Sequence, residues 1–290
     1  MRSVRYLVAA GAASLLSSAA FAADMPIMPP PMPYAPPPVE DFGGWYLRGD
    51  IGFSNQSVKN IRKSDPTAYS QISSLTETTG FDTGGIFDVG AGYRFNNWFR
   101  ADVTAQYRGK ANFKGTDVFN ASAFGLAYNG QDNYSASKSE LLFLANAYVD
   151  LGTWWCITPF IGAGVGTSRV SISGFTDTGV NNLQLTNPPT VGGPPVVSYA
   201  TAANGSKWNF AWAAHAGLAY QVSQNLTLEL AYSYVDLGSG TTGAITTFDG
   251  FTRGNVFKFN DITSHDLKLG VRWNLDSPQP VYAPPLVRKG

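Results

Sequence analysis

The stretch GIFDVGAGYRFNNWFRADVTAQYR (Gly85–Arg108) decides how the chain is read. Phe87, Val89, Ala91, Tyr93 and Phe95 alternate with Asp88, Gly90, Gly92 and Arg94. After Asn96-Asn97 the alternation resumes, with Phe99, Ala101, Val103, Ala105 and Tyr107 set against Arg100, Asp102, Thr104, Gln106 and Arg108. Successive side chains of a strand point to opposite faces, so this repeat of two on both sides of a tight turn predicts an antiparallel hairpin with one apolar and one polar face.

The same period extends in both directions. It predicts eight strands over Trp45–Phe53, Gly85–Phe95, Trp98–Arg108, Glu140–Leu151, Ile157–Arg169, Lys207–Val222, Leu226–Leu237 and Ser264–Leu275. Each has roughly nine to sixteen residues, a length suited to crossing a bilayer at a tilt. The connections after strands two, four and six are short: Asn96-Asn97, Gly152 to Cys156, and Ser223-Gln224-Asn225. Those after strands one, three, five and seven are long, polar and rich in glycine, as Gly109–Lys138 and Ser171–Ser206 illustrate. Long loops at one end and short turns at the other mark an up-and-down transmembrane β-barrel with both termini at the short-turn end.

Alternation alone does not say which face points inward, so a secreted soluble barrel has to be weighed. The apolar face carries Trp208, Phe210, Trp212, Leu218, Tyr220, Leu228, Leu230, Tyr232 and Tyr234 on two adjacent strands alone. An eight-stranded barrel has room inside for little more than modest side chains, so this bulk belongs outside. The polar face mixes Gly90, Gly92, Gly162, Gly164 and Gly217 with charges of both signs, a composition that can fill a narrow lumen. Trp98, Trp154, Trp155 and Trp273 lie near strand ends, where aromatic residues mark membrane interfaces.

The N-terminus sets the compartment. Arg2 and Arg5, an apolar run from Tyr6 to Leu16 and Ala20-Phe21-Ala22 describe a secretory signal peptide over residues 1–22, with Ala23 as the mature terminus. The run is too short for a membrane helix. Its removal takes away two arginines, leaving 20 − 2 = 18 basic against 20 acidic residues, a net charge near −2 with no basic block for nucleic acid. Cys156 is the sole cysteine, so no internal disulfide forms, and with two histidines, His215 and His265, zinc-type ligand spacings are absent and no cofactor is expected. The domain expectation is therefore a signal peptide (1–22), a Pro-rich arm (23–43), a barrel (44–275) and a second Pro-rich arm (276–290). The phrases PYAPPPV near the start and VYAPPLV near the end then project from one end of the barrel as extended polyproline segments.

Three chemical readings follow. His215 and Glu229 fall on polar faces of neighbouring strands and could form a base and its orienting acid. A deacylase-like barrel would be expected to place a serine two residues after the histidine, where this chain has Gly217. A non-enzymatic protein is the expectation. A diffusion pore is opposed by lumenal Asp88, Arg94, Arg100, Asp102, Asn146, Asp150, Glu229, Lys268 and Arg272, which leave an eight-stranded barrel little room for water. The long connections could act as adhesive surfaces.

Seven stretches, GGWYLRGDIGF, GAGYRFNNWFRADV, LANAYVDLG, TPFIGAGVG, FAWAAHAGLAY, NLTLELAYSY and DITSHDLKLGVRW, span Gly43 to Trp273. In their order they resemble the alpha-proteobacterial outer-membrane immunogenic, or porin-like, β-barrel proteins, relatives of the OmpA transmembrane domain. The resemblance implies location in the outer membrane and contact with its lipid and lipopolysaccharide. It also implies handling by the barrel-assembly machinery through a signal matched by Lys268, Gly270, Trp273 and Leu275, although here the chain continues to Gly290. Some members have a mature Ala-Asp terminus joined to peptidoglycan, which Ala23 and Asp24 would match. The expectation is a monomeric structural barrel that supports the envelope and presents surface loops, with a small-solute porin or an adhesin as alternatives.

Overall fold

The computed structural model describes residues 43–65 and 69–275. The expected signal peptide, Ala23 and Asp24, and all of both Pro-rich arms except Gly43 lie outside these residues. Among the described residues there are twelve strands, every pairing between them antiparallel: β1 (Gly44–Lys63), β2 (Ile72–Phe81), β3 (Gly84–Arg94), β4 (Phe99–Ala123), β5 (Leu126–Asp150), β6 (Ile157–Gln184), β7 (Thr190–Ala202), β8 (Gly205–Gln221), β9 (Leu226–Thr241), β10 (Ile245–Thr247), β11 (Thr252–Arg253) and β12 (Phe257–Asn274). Eight of them form a closed ring, β1-β3-β4-β5-β6-β8-β9-β12, shut by the pairing of β1 with β12 from Tyr46↔Asn274 upward. Closure leaves no ring strand with an open edge, which a spanning sheet requires.

The short turns are held locally. Asn96 Oδ1 accepts from the backbone N–H groups of Trp98 at 3.0 Å and Phe99 at 2.7 Å, turning β3 into β4. Trp155 and Cys156 both adopt left-handed backbone, φ 50° and 67°, within a tight turn closed by reciprocal backbone bonds of 2.9 Å between Trp154 and Ile157. Val222 N–H bonds to the Leu226 carbonyl at 2.9 Å between β8 and β9. Around this end run aromatic rings, with exposed Trp45 and Phe95 each in edge-on contact with half-buried Tyr93 at centroid distances of 5.3 and 5.2 Å.

The apolar face does point outward. Ile51, Phe53, Phe87, Val89, Val103, Trp208, Phe210, Leu218, Leu230 and Leu269 are exposed, while Asp88, Arg100, Asp102, Glu229 and Lys268 are buried. The long connections differ from the loops that composition suggests, because much of their length is hydrogen-bonded strand. β4 and β5 pair without leaving the sheet from Phe99↔Val149 to Ala123↔Leu126 and turn at Phe124-Gly125. β2 pairs with this hairpin at one edge, and β6, β7, β10 and β11 extend it at the other. Stretches that read as polar and glycine-rich therefore build a crown on the long-hairpin end of the ring.

β-Bulges separate ring from crown. On β4 the register jumps from Arg108↔Glu140 to Ala111↔Lys138, and on β6 from Ser173↔Ser137 to Thr176↔Ser135, with Gly174 left-handed at φ 61°. β9 and β12 are irregular around Ile262↔Gly238, where Asp261 and Gly238 have φ 52° and 77°. Each extra residue shifts the alternation by one and so exchanges the two faces of the strand.

Candidate functional site

Below the bulges, the lumen holds a connected ionic network. Arg48, on the inward face of β1, bonds to Asp50 at 2.8 Å and Asp102 at 3.0 Å, and donates to the Tyr148 hydroxyl at 3.0 Å. Glu229 is a hub for three guanidinium groups: Arg272 at 2.8 Å, Arg100 at 3.4 Å and Arg48 at 3.5 Å. Arg100 also reaches Asp150 at 3.3 Å and lies over the Tyr148 ring, 4.2 Å from its centroid. Asp102 accepts further bonds from Tyr46 at 3.1 Å and Asn146 at 2.8 Å, and Lys268 pairs with Asp88 at 3.4 Å. Higher up, Arg108 pairs with Asp266, and Lys138 bonds to Glu140 and Gln56. Buried charges cost several kcal/mol each to desolvate, and mutual pairing is what offsets that cost here.

Of the lumenal charges expected from sequence, the structure joins Asp88, Arg100, Asp102, Asp150, Glu229, Lys268 and Arg272 in these contacts. Arg94 lies apart, half-buried at the short-turn rim and outside the ion pairs found among the described residues. Arg48, Asp50, Arg108, Lys138, Glu140 and Asp266 belong to the lumenal set as well. Arg48 and Asp50 stand on the polar side of the Trp45–Phe53 alternation, so that pattern alone marks them.

The His215–Glu229 pair is not formed. His215 Nδ1 lies 2.8 Å from Ser233 Oγ and Nε2 lies 3.2 Å from Asn146 Oδ1, while Glu229 faces its arginines. In the assembly motif, Lys268 and Gly270 face inward and Trp273 and Leu275 outward. Gly270 has a local reason of its own, since a Cβ there would overlap Oδ1 of Asp50 on the paired strand.

Above the bulges, the interior is apolar. Phe113, Phe175, Phe257 and Phe259 fill it together with Tyr134 and Ile61, with Phe175 and Phe257 at 4.4 Å between centroids and Phe113 and Phe259 in edge-on contact at 5.1 Å. This plug sits over the ionic network and blocks a straight path through the barrel.

At the mouth, above the plug, the inward face turns acidic. Glu77 stands opposite Asp117, Asp117 opposite Asp132, and Tyr134 opposite Asp177, so carboxylates line up across β2, β4, β5 and β6. Like charges directly opposite in a sheet repel. Glu77 accepts at 2.7 Å from Arg62 and at 2.6 Å from the Ile61 N–H, and Asp117 accepts from the Tyr134 hydroxyl at 3.1 Å. Lys63 Nζ lies 3.9 Å from Asp177. Burial, reinforced by Glu77, pushes Asp117 up to about 6, and burial with neighbouring Asp132 pushes Asp177 up to about 7. Burial raises Asp132 as well. Sequence reasoning missed this cluster because its members lie on four strands of what read as loops.

Comparison with known proteins bears on the whole chain. The family described as outer membrane protein beta-barrel domain matches residues 8–274. An uncharacterised protein of Brucella suis biovar 1 is 30% identical over 239 residues, covering 77% of this chain and 78% of its own length. A putative adhesin of Rickettsia bellii is 29% identical over 277 residues, 93% of this chain and 98% of that protein. The outer membrane protein PagN of Salmonella typhimurium is 28% identical over 201 residues, 67% and 75% of the two chains.

Proposed function

We propose, from the premise that this chain belongs to the outer membrane protein beta-barrel domain family and resides in the outer membrane, that it is a non-conducting, non-enzymatic structural barrel whose crown meets partners outside the cell. The observation that carries this reading is the doubly filled lumen. An ionic layer around Glu229 lies under an aromatic layer around Phe257, and neither leaves a water-filled path of the kind that wider barrels have. The chemistry open to outside partners lies in the crown, which continuous strand pairing carries above the ring. The barrel is held in place by lipid and lipopolysaccharide against its apolar belt and inserted by the barrel-assembly machinery. Tethering to peptidoglycan through Ala23 and Asp24 belongs to the same reading, and a muropeptide digest of the cell wall would contain the Ala23-linked peptide.

A second reading, surface adhesion, draws on the crown and on the Rickettsia relative named as a putative adhesin. Both readings are tested on the purified barrel. Planar-bilayer recordings are expected to stay at baseline, and stable unitary currents would overturn the non-conducting assignment. The strand register shows where to shorten the crown without touching the plug: residues 118–131 and 179–198, each replaced by a two-residue turn. A shortened barrel that still supports envelope integrity but no longer binds host cells or matrix favours adhesion as the crown's task. Unchanged binding removes adhesion and leaves the structural role.

A further inference from the structure

The mouth of the crown is built unlike either layer beneath it. Four carboxylates, Glu77, Asp117, Asp132 and Asp177, face two cations, Arg62 and Lys63. Arg62 shows how this mouth holds a cation, since its guanidinium is bonded to Glu77 at 2.7 Å and lies over the Tyr69 ring, 5.4 Å from the centroid. Below and beside it the carboxylates are under-matched. Asp117 and Asp177 are more than nine-tenths buried, yet Oδ1 of each has no hydrogen-bond partner among the described residues. An unpartnered carboxylate oxygen away from bulk water is costly, and a charged donor is the partner that relieves it most.

The space beside these oxygens has a matching form. A cavity of about 320 Å³ lies among Tyr69, Asp117, Phe119, Tyr128, Asp132 and Tyr134. A second, of about 310 Å³, lies on the other side of Lys63 and touches Asp177 and Tyr199. Aromatic faces with carboxylates are the chemistry that receives an ammonium or guanidinium group, by cation–π attraction and charge-assisted hydrogen bonds together. A bare divalent metal needs several oxygen ligands converging on one point. Among the described residues, no group of three or more carboxylate, histidine or cysteine side chains is arranged to hold one.

We propose that the crown's mouth is a binding site for organic cations, taking an ammonium or guanidinium group against Asp117, Asp132 and Asp177 with the tyrosine rings as walls. Such a group has two sources: a free polyamine, or a lysine or arginine side chain on a peptide or protein. The proposal deepens the reading of the crown as a contact surface. It is tested by direct binding, so that its failure is separable from a failure of adhesion.

The experiment is isothermal titration of the full-length protein in lipid nanodiscs at pH 8 with spermidine, with a hexalysine peptide and with magnesium ion, repeated on Asp117→Asn/Asp177→Asn. Saturable binding of spermidine or hexalysine, weakened at least tenfold in the double variant and not reproduced by magnesium, is the expected result. Spermidine binding identifies a free polyamine as a sufficient ligand, and binding of hexalysine alone identifies a side chain displayed on a partner. The asparagine variants preserve side-chain shape, and retained heat-modifiable gel migration together with a crown as resistant to proteolysis as the parent's confirms that barrel and crown both fold. Absence of saturable binding by both organic cations, equal affinity in the folded double variant, or magnesium binding as tightly as spermidine would each overturn the proposal.

Discussion

Within the bilayer, β4 directs Arg100, Asp102, Thr104 and Gln106 into the lumen and Val103 and Tyr107 toward lipid, whereas above the bulge at Gly109-Lys110 the same strand directs Ala111 and Phe113 inward and Asn112 and Lys114 outward. The two halves of the molecule are thus inside-out versions of each other. Hydrocarbon makes an apolar exterior the favourable arrangement below, and the ionic interior follows from what remains on the other face. Water surrounds the crown, so the ordinary rule returns there and apolar side chains collect inside. The bulges are the hinge between two solvents. One extra residue re-phases a period-two pattern at no cost in chain direction, which is why the ring strands continue upward as the crown rather than ending at the membrane.

Removing that hinge gives the largest expected effect. Deleting Gly109 and Lys110 together would join Arg108 directly to Ala111 in unbroken alternation and turn Phe113 outward, and loss of this one ring from a core costs about 3–5 kcal/mol before its neighbours are counted. Proteolysis is expected to clip the crown of the variant while the barrel still migrates as a folded species in unheated gels. A crown as resistant as the parent's would show that the bulge does not set the facing.

Breaking the lower half comes next. Glu229→Ala leaves Arg48, Arg100 and Arg272 without their shared carboxylate and is expected to cost about 3–5 kcal/mol, the range for removing one partner of a buried ion pair. Urea unfolding in lipid vesicles measures it. A loss below about 1 kcal/mol would mean that water enters the lumen and screens the arginines, which would reopen the question of conduction.

The smallest effect is one of pH, and it has the opposite sign. Asp177 in the folded crown titrates near 7 and Asp117 near 6, both above the roughly 3.9 of an unfolded chain, so between about pH 4 and 7 the folded crown holds more protons than the unfolded one. Stability from these groups therefore falls as pH rises through that window. Asp177→Asn is expected to match the parent near pH 4 and to be more protected at pH 8, as read by hydrogen exchange of crown amides corrected for intrinsic rate. A variant less protected at pH 8 would show that the carboxylate is stabilised as an anion in the parent.

What was legible in the sequence ends close to where the bulges begin. The predicted segments stop at Arg108, Arg169 and Leu237 and restart at Ser264, each within a few residues of a register shift on β4, β6, β9 or β12. Exposure to lipid acts on every second residue of a strand, so it writes itself locally, and Phe87, Val89 and Ala91 state their facing without reference to any neighbour. Inward charges were legible for the same reason, and the Trp45–Phe53 alternation carries the same signal for Arg48 and Asp50, which the lumenal set expected from sequence leaves out.

Partnership was not legible. That Glu229 gathers Arg48, Arg100 and Arg272 depends on strands far apart in the chain meeting at one height inside the ring. That Arg94 is left at the rim depends on the same geometry. The crown is the extreme case, because its strands are polar on the face that meets water and carry mixed residues on the other, a pattern indistinguishable from loop until the pairing register is known. The membrane strands, their facing and the closed barrel follow from the order of residues alone, since a bilayer imposes its demand residue by residue. The ion pairs, the aromatic plug and the acidic mouth arise only on folding, since these depend on register, and register is a relation between strands rather than a property of any one of them.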